Sequence, residues 1–391
     1  TTVGPRGSVV FDLTGNGQTA LKASVGRYYY VLSTGGGGVS SVNRNANYSE
    51  QYGWNDLNGN RKYDLGEQTG TPVVSAVVVN GAILTSIDPN FSRPYTDEYS
   101  ASVDRELAGG MKLSTAFTYR RERNTQASYN PDNPYDTVLT TAVDPGLDGV
   151  VGTSDDSTYG YYARNSAANR TIITNDKKVV QSYKGMEITL TKRMTNHWQM
   201  LAGYTYSKNR IDDISVDLSP NFLINSSGPI GGDSAVAGSS RCSGCGASNA
   251  DRPNQFKLTG VYIAPWHDII FSGNFSSQQG GPITRQISRA VGFGTNQIIN
   301  LEPMGSHRLP TLNKIDVRVG KVFRFGTKTL ETTADFDNIT NAATVWAVRN
   351  RTEAASFLDP STGLRQTLPQ FNSPASILGP RTIVLRAAYR F

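Results

Sequence analysis

The stretch that decides the fold stands at the carboxyl end, Ile383-Val384-Leu385-Arg386-Ala387-Ala388-Tyr389-Arg390-Phe391. Successive side chains of a β-strand face opposite sides. One face of this strand is then apolar, with charge on the other at Arg386 and Arg390. An apolar face that backs onto a charged face is typical of a wall between lipid and water, as in a transmembrane β-barrel. The last strand of a soluble β-sandwich can carry the same pattern, so this segment alone leaves both folds open.

The composition is compatible with a barrel and argues against membrane-spanning helices. Hydrophobic residues make up 37% of the 391-residue chain, and its mean hydropathy is −0.39. Such values do not exclude a membrane, because only alternate residues of a barrel strand meet lipid. The sequence holds no run of about 18 apolar residues, so no transmembrane helix is expected. The net charge of +6 is spread along the chain and indicates no nucleic-acid patch.

Period-2 alternation along the chain predicts about eleven strands of roughly ten residues each, an all-β fold. They form five hairpins with short turns near 14–17, 108–110, 195–197, 265–266 and 326–328, followed by the last strand. The hairpins are separated by long polar stretches: Ser33–Pro94, Asn124–Val179, Lys208–Pro253, Gln279–Leu312 and Asn341–Pro380. Loops of this length count against a compact soluble domain. Short periplasmic turns and long extracellular loops are expected of an antiparallel outer-membrane barrel.

The odd number of strands predicts that the chain is part of a larger barrel. Bacterial barrels have even strand numbers, and about eleven strands would make half of a 22-stranded one. The chain begins at Thr1 without the charged and apolar regions of a signal peptide. We therefore expect residues 1–391 to be the C-terminal part of the barrel, as a fragment or a processed product, without the N-terminal half.

Several short motifs resemble one known family. They are Asp12-Leu13-Thr14-Gly15-Asn16-Gly17, Gly26-Arg27-Tyr28-Tyr29, Asp251-Arg252-Pro253-Asn254-Gln255-Phe256, Arg318-Val319-Gly320-Lys321, Asp335-Phe336-Asp337-Asn338-Ile339-Thr340-Asn341 and Tyr389-Arg390-Phe391. Together they look like the C-terminal barrel half of TonB-dependent outer-membrane receptors, in particular the large receptors with an N-terminal carboxypeptidase-regulatory-like domain.

That resemblance implies a function, a location and partners. Members of the family lie in the bacterial outer membrane and import bulky nutrients through 22 strands filled by an N-terminal plug. The inner-membrane TonB complex drives the import through the N-terminal part, which we expect to lie outside residues 1–391. The aromatic end at Tyr389 and Phe391 resembles the signal read by the outer-membrane assembly machinery. The expected partners are therefore membrane lipid, the assembly machinery, the TonB complex and an extracellular ligand of unknown identity.

One loop has the spacing of a calcium site. Oxygen-bearing side chains occupy positions 1, 3, 5, 9 and 12 of a twelve-residue stretch, namely Asp56, Asn58, Asn60, Asp64 and Glu67, and the carbonyl of Lys62 stands at position 7. Position 6, which is normally glycine, is Arg61. The spacing predicts a bound calcium ion, and a merely polar extracellular loop remains the alternative.

Two further candidates are weaker. Asp144, Asp148, Asp155 and Asp156 alternate with glycines, as in calcium-binding turns, although a solvated acidic turn is equally compatible. Cys242 and Cys245 could be half of a zinc site, but a second ligand pair is not evident among three histidines. In an oxidising compartment a local disulfide is favoured for this pair.

No catalytic motif is found in the sequence, neither a nucleophile elbow nor a phosphate-binding loop nor a zinc-protease signature. We therefore expect a receptor and transporter that is not an enzyme and requires no cofactor, with calcium as an optional loop ligand. The alternative from another class is a calcium-dependent extracellular adhesin or glycan-binding module, rich in β-structure, that never enters a membrane.

Overall fold

A computed structural model describes residues 2–30, 49–75, 78–79, 82–83, 85–132, 135–164, 170–177, 180–213, 246–248, 250–292, 295–302, 304–353, 355–358, 361–362 and 365–391. In this part of the chain the regular elements are β-strands. No helix within these ranges is long and apolar enough to cross a membrane.

Eleven strands form one large sheet, which we call the wall. They are β1 (Arg6–Asp12), β2 (Thr19–Tyr29), β3 (Tyr95–Leu107), β4 (Met111–Arg123), β5 (Val180–Thr195), β6 (Trp198–Asp213), β7 (Asn254–Ala264), β8 (Ile269–Gln278), β9 (Leu312–Phe325), β10 (Lys328–Asp337) and β11 (Thr382–Arg390). Each strand pairs antiparallel with the next one along the chain. The short strand Gly246–Ala247 also pairs with β6. The wall is an open meander with β1 and β11 at its edges.

The wall confirms the strand number and the alternation of short and long connections. Five short turns, at 13–18, 108–110, 196–197, 265–268 and 326–327, close the hairpins at one end. Long connections of 30–94, 124–179, 214–253, 279–311 and 338–381 leave from the other end. The limits differ from the predicted ones by a few residues; the turn predicted near 14–17, for example, spans 13–18.

The two faces of the wall differ as the alternation predicts. On one face, apolar residues lie opposite each other across neighbouring strands, for example Phe117 beside Ala101 and Met186. The other face carries polar pairs such as Ser24 and Ser100, whose hydroxyl oxygens are 2.7 Å apart. We call these the outer face and the lumen face.

The long connections contain strands of their own, which the sequence did not predict. These are Ser49–Trp54, Gln68–Ser75, Val78–Val79, Ala82–Ile83, Thr85–Ile87, Thr125–Tyr129, Tyr135–Asp144, Ser157–Arg164, Thr171–Asp176, Pro282–Ile283, Gln286–Gly292, Thr295–Asn300, His307–Arg308, Val345–Val348, Ala355–Leu358, Arg365–Leu368 and Pro374–Ile377. They pair into small sheets above the wall. A buried apolar cluster lies among them and includes Tyr159, Val291 and Ile299. The connections 124–179 and 279–311 therefore share a packed core.

Candidate functional site: the loop assembly and the two faces of the wall

The lumen face carries charges that are paired with one another. The Asp104 carboxylate accepts hydrogen bonds from Lys22 Nζ at 2.7 Å, Lys112 Nζ at 3.0 Å and Ser114 Oγ at 2.6 Å. Paired charges of this kind suit a watery lumen, because an unpaired charge next to hydrocarbon would be costly.

A second network on the lumen face surrounds one carboxylate of β10. Asp335 lies between Arg318 and Arg386, and it accepts from Arg318 Nη2 at 3.0 Å and Arg386 Nη1 at 2.6 Å. These residues belong to β9, β10 and β11, so the network crosslinks the last three strands. It also gives a structural role to two of the motifs that resemble the receptor family.

The outer face carries a lysine near the short-turn end that is satisfied by the backbone. Lys192 is only 5% exposed. Its Nζ donates to Thr195 Oγ1 at 2.6 Å and to the carbonyl oxygens of Thr195 and Trp198 at 3.0 and 3.2 Å. The same ammonium lies 4.1 Å from the centre of the Trp198 ring. The β5–β6 turn thus shields this cation from lipid.

The motif at residues 12–17 builds a short turn. The Asp12 carboxylate accepts hydrogen bonds from the backbone N–H groups of Thr14, Gly15 and Gly17 at 3.2, 3.0 and 2.7 Å. Gly15 and Gly17 have φ values of 70° and 75°, a left-handed conformation that glycine adopts without strain. This motif therefore has a structural role at the turn.

Buried polar side chains hold the long connections to the top of the wall. Asn338 is 1% exposed, and its Nδ2 donates to the carbonyl oxygens of Ala342 at 2.9 Å and Gly379 at 2.8 Å. These bonds join the two ends of the loop between β10 and β11. Asp251, in the connection between β6 and β7, accepts from the backbone N of Asn209 in β6 at 2.7 Å. It also forms an ion pair with Arg308, in the connection between β8 and β9.

Three long connections meet at one buried ion pair. Arg285 Nη1 and Nη2 each donate to an Asp144 oxygen at 2.6 Å, and the exposed fraction of the Asp144 side chain is 5%. Thr352, which is fully buried, donates from Oγ1 to the Gly146 carbonyl and from its backbone N to the Gln286 carbonyl at 2.8 Å. We call this contact the loop junction. Sequence reasoning missed it because Arg285 and Asp144 are 141 residues apart, and neither lies in a motif that signals the pairing.

The apolar cluster beside the loop junction contains a buried tyrosine hydroxyl. The Tyr159 hydroxyl has no hydrogen-bond partner in the described part of the chain. Burial raises the pKa of Tyr159 to about 12. The neighbouring Tyr161 ring lies 5.2 Å from the Arg289 guanidinium carbon. These contacts connect the hairpin of Tyr135–Asp144 and Ser157–Arg164 to the hairpin of Gln286–Gly292 and Thr295–Asn300.

The predicted calcium loop is ordered by its own side chains. Asp56 accepts from the backbone N of Asn60 at 3.1 Å and of Arg61 at 2.8 Å. Asp64 Oδ2 accepts from the Asn58 and Asn60 amides at 2.6 Å each, and these bonds lower the pKa of Asp64.

Arg61 and Glu67 complete the geometry of this loop. Arg61 occupies the position usually held by glycine and takes the same left-handed turn, with a φ of 60°. Glu67 is 4% exposed, and its carboxylate accepts from the backbone N of Leu57 at 3.0 Å and of Asp64 at 2.9 Å. Four of the predicted ligand side chains thus contact one another or the loop backbone, and Glu67 closes the loop from its end.

The four residues of the weaker acidic set have two structural roles, one in an ion pair and one in turns. Asp144 belongs to the loop junction, where both of its oxygens face Arg285. Asp155 accepts from the backbone N of Leu147 at 2.7 Å, which closes a turn. A hydrogen bond from the Thr153 hydroxyl, together with the bond from Leu147, lowers the pKa of Asp155. Asp148 and Asp156 accept from the backbone N of Val150 and Gly152 at 2.8 and 2.6 Å. Calcium binding here stays a prediction, and Asp144 would have to leave Arg285 to take part.

The predicted cysteine pair and the predicted assembly signal at the carboxyl end stay predictions. Across the ranges that the structure covers, no three His, Cys, Asp or Glu side chains are grouped as they would be around a metal ion. Cys242 and Cys245 lie outside the described residues. Tyr389 and Phe391 have ring centres 6.2 Å apart at the end of β11, and their role in assembly stays a prediction.

Similar chains occur among the solved structures of outer-membrane proteins. Among solved structures, the chain is similar in fold to the outer membrane transporter YddB from Escherichia coli, at 11% identity and a TM-score of 0.47, over 97% of this chain and 39% of that one. It is also similar to the ferric-catecholate import receptor Fiu from E. coli K12, at 13% identity and a TM-score of 0.46, over 98% of this chain and 34% of that one. The chain therefore spans less than half the length of either structure.

Two further comparisons concern the sequence itself. No curated protein matches the chain. The family model described as "Outer membrane beta barrel domain" matches residues 1–274, which is more than half of the 391-residue chain. The chain therefore belongs to the family of outer membrane beta barrel domains.

Proposed function

We propose that the protein is an uptake receptor of the outer membrane that is coupled to the TonB complex and takes up a bulky nutrient. Residues 1–391 would supply the C-terminal part of its barrel. The observation that carries the proposal is the asymmetry of the wall, which has five short turns at one end and packed loops at the other. An ordered loop assembly offers a ligand a preformed surface and lowers the ordering cost of binding.

The outer face of the wall favours a membrane barrel over the alternative adhesin that never inserts. Tyr99 and Phe117 are each 50% exposed on this face, and Leu385 is 77% exposed. A soluble protein rarely exposes an apolar face that continues across neighbouring strands. Lipid would cover it in the outer membrane, where the chain lies.

The strand number of the whole barrel is inferred from the number of strands in the wall. Eleven wall strands and an even total favour about 22 strands. In this proposal the rest of the protein supplies the other strands, a plug and the segment that contacts TonB. The carboxypeptidase-regulatory-like domain at the N-terminus belongs to the same proposal. Binding and passage of the ligand would then be the function, with no bond made or broken.

The complete coding sequence and a growth assay test the proposal together. A plug domain upstream of Thr1 is expected, whereas a signal peptide directly before Thr1 would contradict it. A deletion strain and a strain without the TonB complex should lose growth on the same bulky nutrient and keep growth on small diffusible ones. Growth of the deletion strain on every bulky nutrient that the parent uses would refute an uptake role.

We also propose that residues 56–67 bind calcium. Asn58 and Asn60 already meet Asp64 within 2.6 Å, and rotation of each amide would turn an oxygen toward an ion at the same place. Carboxylate, amide and carbonyl oxygens at about 2.3–2.6 Å are the ligands that calcium prefers. In this site the Lys62 carbonyl and the Glu67 carboxylate complete the set.

Calorimetric titration of the full-length receptor with calcium decides this second proposal. Asp56→Ala and Glu67→Gln should each abolish or strongly weaken binding, because each removes a charged ligand. Asp268→Asn, in the short turn between β7 and β8, is the control for a lost surface carboxylate. Unchanged affinity in both loop variants would show that the segment is only a polar loop.

A further inference from the structure

The outer face carries a cluster of positive charge near its loop end. Lys184 on β5 and Lys208 on β6 are directly opposite each other in the register of the two strands. Met186 and Tyr206, two residues along each strand, also form an opposed pair and are both exposed. Since every second residue of a strand shares a face, the two lysines lie on the outer face with this apolar pair. Arg121 on β4 lies one step higher on the same face, opposite Ser182.

The height of the two lysines matches the level of the lipid headgroups in the outer leaflet. Lys184 lies eleven residues before Thr195, the last residue of β5 at the short-turn end. A rise of about 3.4 Å per residue and a tilt of about 40° place it about 29 Å above that turn. The apolar band of an outer-membrane barrel is only about 25 Å tall. The cluster thus stands at the upper edge of the band, where lipid phosphates lie.

Neither lysine has an anionic partner in the described part of the chain. The Lys184 ammonium lies 5.7 Å from the centre of the Tyr119 ring, and the Lys208 ammonium lies 6.0 Å from the centre of the Tyr206 ring. Asp97, a carboxylate of the outer face that lies opposite Arg121 in the register, is held by two hydrogen bonds from Arg27, at 2.7 and 2.9 Å.

Two like charges directly opposite each other destabilise a pair of strands. Lys192, another lysine of the outer face, lies in a different environment, because it donates to oxygens of its own turn. The pair formed by Lys184 and Lys208 has no such backbone acceptor among its described contacts. An anion between the two ammonium groups would remove the repulsion, and the membrane supplies anions at this height.

We propose that Lys184 and Lys208, with Arg121 above them, bind a phosphate group of a glycolipid in the outer leaflet. Ammonium groups bind phosphate as point charges, and a guanidinium adds directed N–H donors. The tyrosine rings at 119 and 206 lie beside the two ammonium groups, where aromatic side chains favour the border between lipid chains and headgroups. This site is separate from uptake of a nutrient and requires only that the wall spans the outer membrane.

Native mass spectrometry of the full-length receptor tests the site, with bisphosphorylated lipid A as the probe. The double variant Lys184→Gln/Lys208→Gln should bind this lipid about 30-fold more weakly. The figure follows because each lysine near anionic lipid contributes about 1 kcal/mol, and about 1.4 kcal/mol corresponds to a tenfold change in affinity. The matched control is Lys257→Gln/Lys328→Gln, which removes the same charge from the lumen face and from the short-turn end. Heat-modified migration of both double variants checks that they are folded.

Two further probes distinguish the lipid from a free anion. Dephosphorylated lipid A should bind wild type and double variant equally weakly, and inorganic phosphate at millimolar concentration should not displace lipid A from the wild type. Equal retention of lipid A by the wild type and the lysine variant would overturn the proposal. An equal loss in the control variant, or displacement by inorganic phosphate alone, would overturn it as well.

Discussion

An arginine placed at Leu190 should destabilise the barrel far more than an arginine at the adjacent Thr189. Leu190 lies opposite Leu113 and Ala202 on the outer face, and Thr189 lies opposite Ser114 and Gly203 on the lumen face. The two positions differ in facing and hardly at all in depth. The difference in stability between the two variants therefore reports which side of the wall meets lipid.

The size of the effect follows from the depth of the residue. Leu190 is five residues before the end of β5, and with a rise of about 3.4 Å and a tilt of about 40° it lies about 13 Å above the short turn. This is close to the middle of an apolar band about 25 Å tall, where a lipid-facing arginine costs about 2–4 kcal/mol. At position 189 the guanidinium can reach water, and the Glu187 carboxylate lies 3.1 Å from the present threonine hydroxyl.

Urea titration of the receptor folded in lipid vesicles measures both changes in the free energy of unfolding. Leu190→Arg should lower it by about 2–4 kcal/mol, and Thr189→Arg should change it by less than about 1 kcal/mol, as is usual for a solvated surface substitution. Similar losses at the two positions, or a larger loss at Thr189, would show that the faces of β5 are assigned the wrong way round.

Three further predictions concern the carboxyl end and the loop junction. Phe391→Asp in the full-length protein should block insertion, since it places a charge at the aromatic end of β11; normal heat-modifiable levels in the outer membrane would contradict this. Arg285→Met should leave the buried Asp144 carboxylate without its partner, at a cost of about 3–5 kcal/mol to the junction, and should speed protease cleavage of the loops, whereas Arg351→Met at a more exposed site should not. Burial raises the pKa of Tyr159 to about 12, so its stabilising contribution should be complete below pH 10 and should be lost as the pH rises toward 12. Loop proteolysis across this pH range should show the loss in the wild type, and Tyr159→Phe should remove it; an identical pH profile in the variant would contradict the assignment.

The wall could be predicted from the sequence because its signal is local. In β10 and β11, apolar residues on the lipid side alternate with polar residues on the water side, and this pattern can be read within each strand. The turn at Asp12 is equally local, since its acceptor and the N–H donors lie within five residues. Only the limits of the strands were inexact, because hydrogen bonds at strand ends depend on the adjoining turn.

The loop assembly could not be predicted for the opposite reason. The contact of Arg285 with Asp144 joins two connections of the wall, and nothing in either segment indicates its partner. Asn338 is similar, because the carbonyl of Gly379 that it binds lies 41 residues away. The calcium spacing was visible in the sequence, whereas the part that Glu67 plays in closing the loop required its backbone contacts.

The central claim is that the wall spans the outer membrane with its long loops outside and its short turns in the periplasm. Labelling of single cysteines in intact cells tests it most directly, in a full-length background with Cys242→Ser and Cys245→Ser. A membrane-impermeant maleimide should label Asp148→Cys, in the turn between strands Tyr135–Asp144 and Ser157–Arg164, without any treatment of the cells. It should label Thr327→Cys, in the β9–β10 turn, only after the outer membrane is permeabilised. Labelling of Thr327→Cys in intact cells, or protection of Asp148→Cys there, would contradict the account.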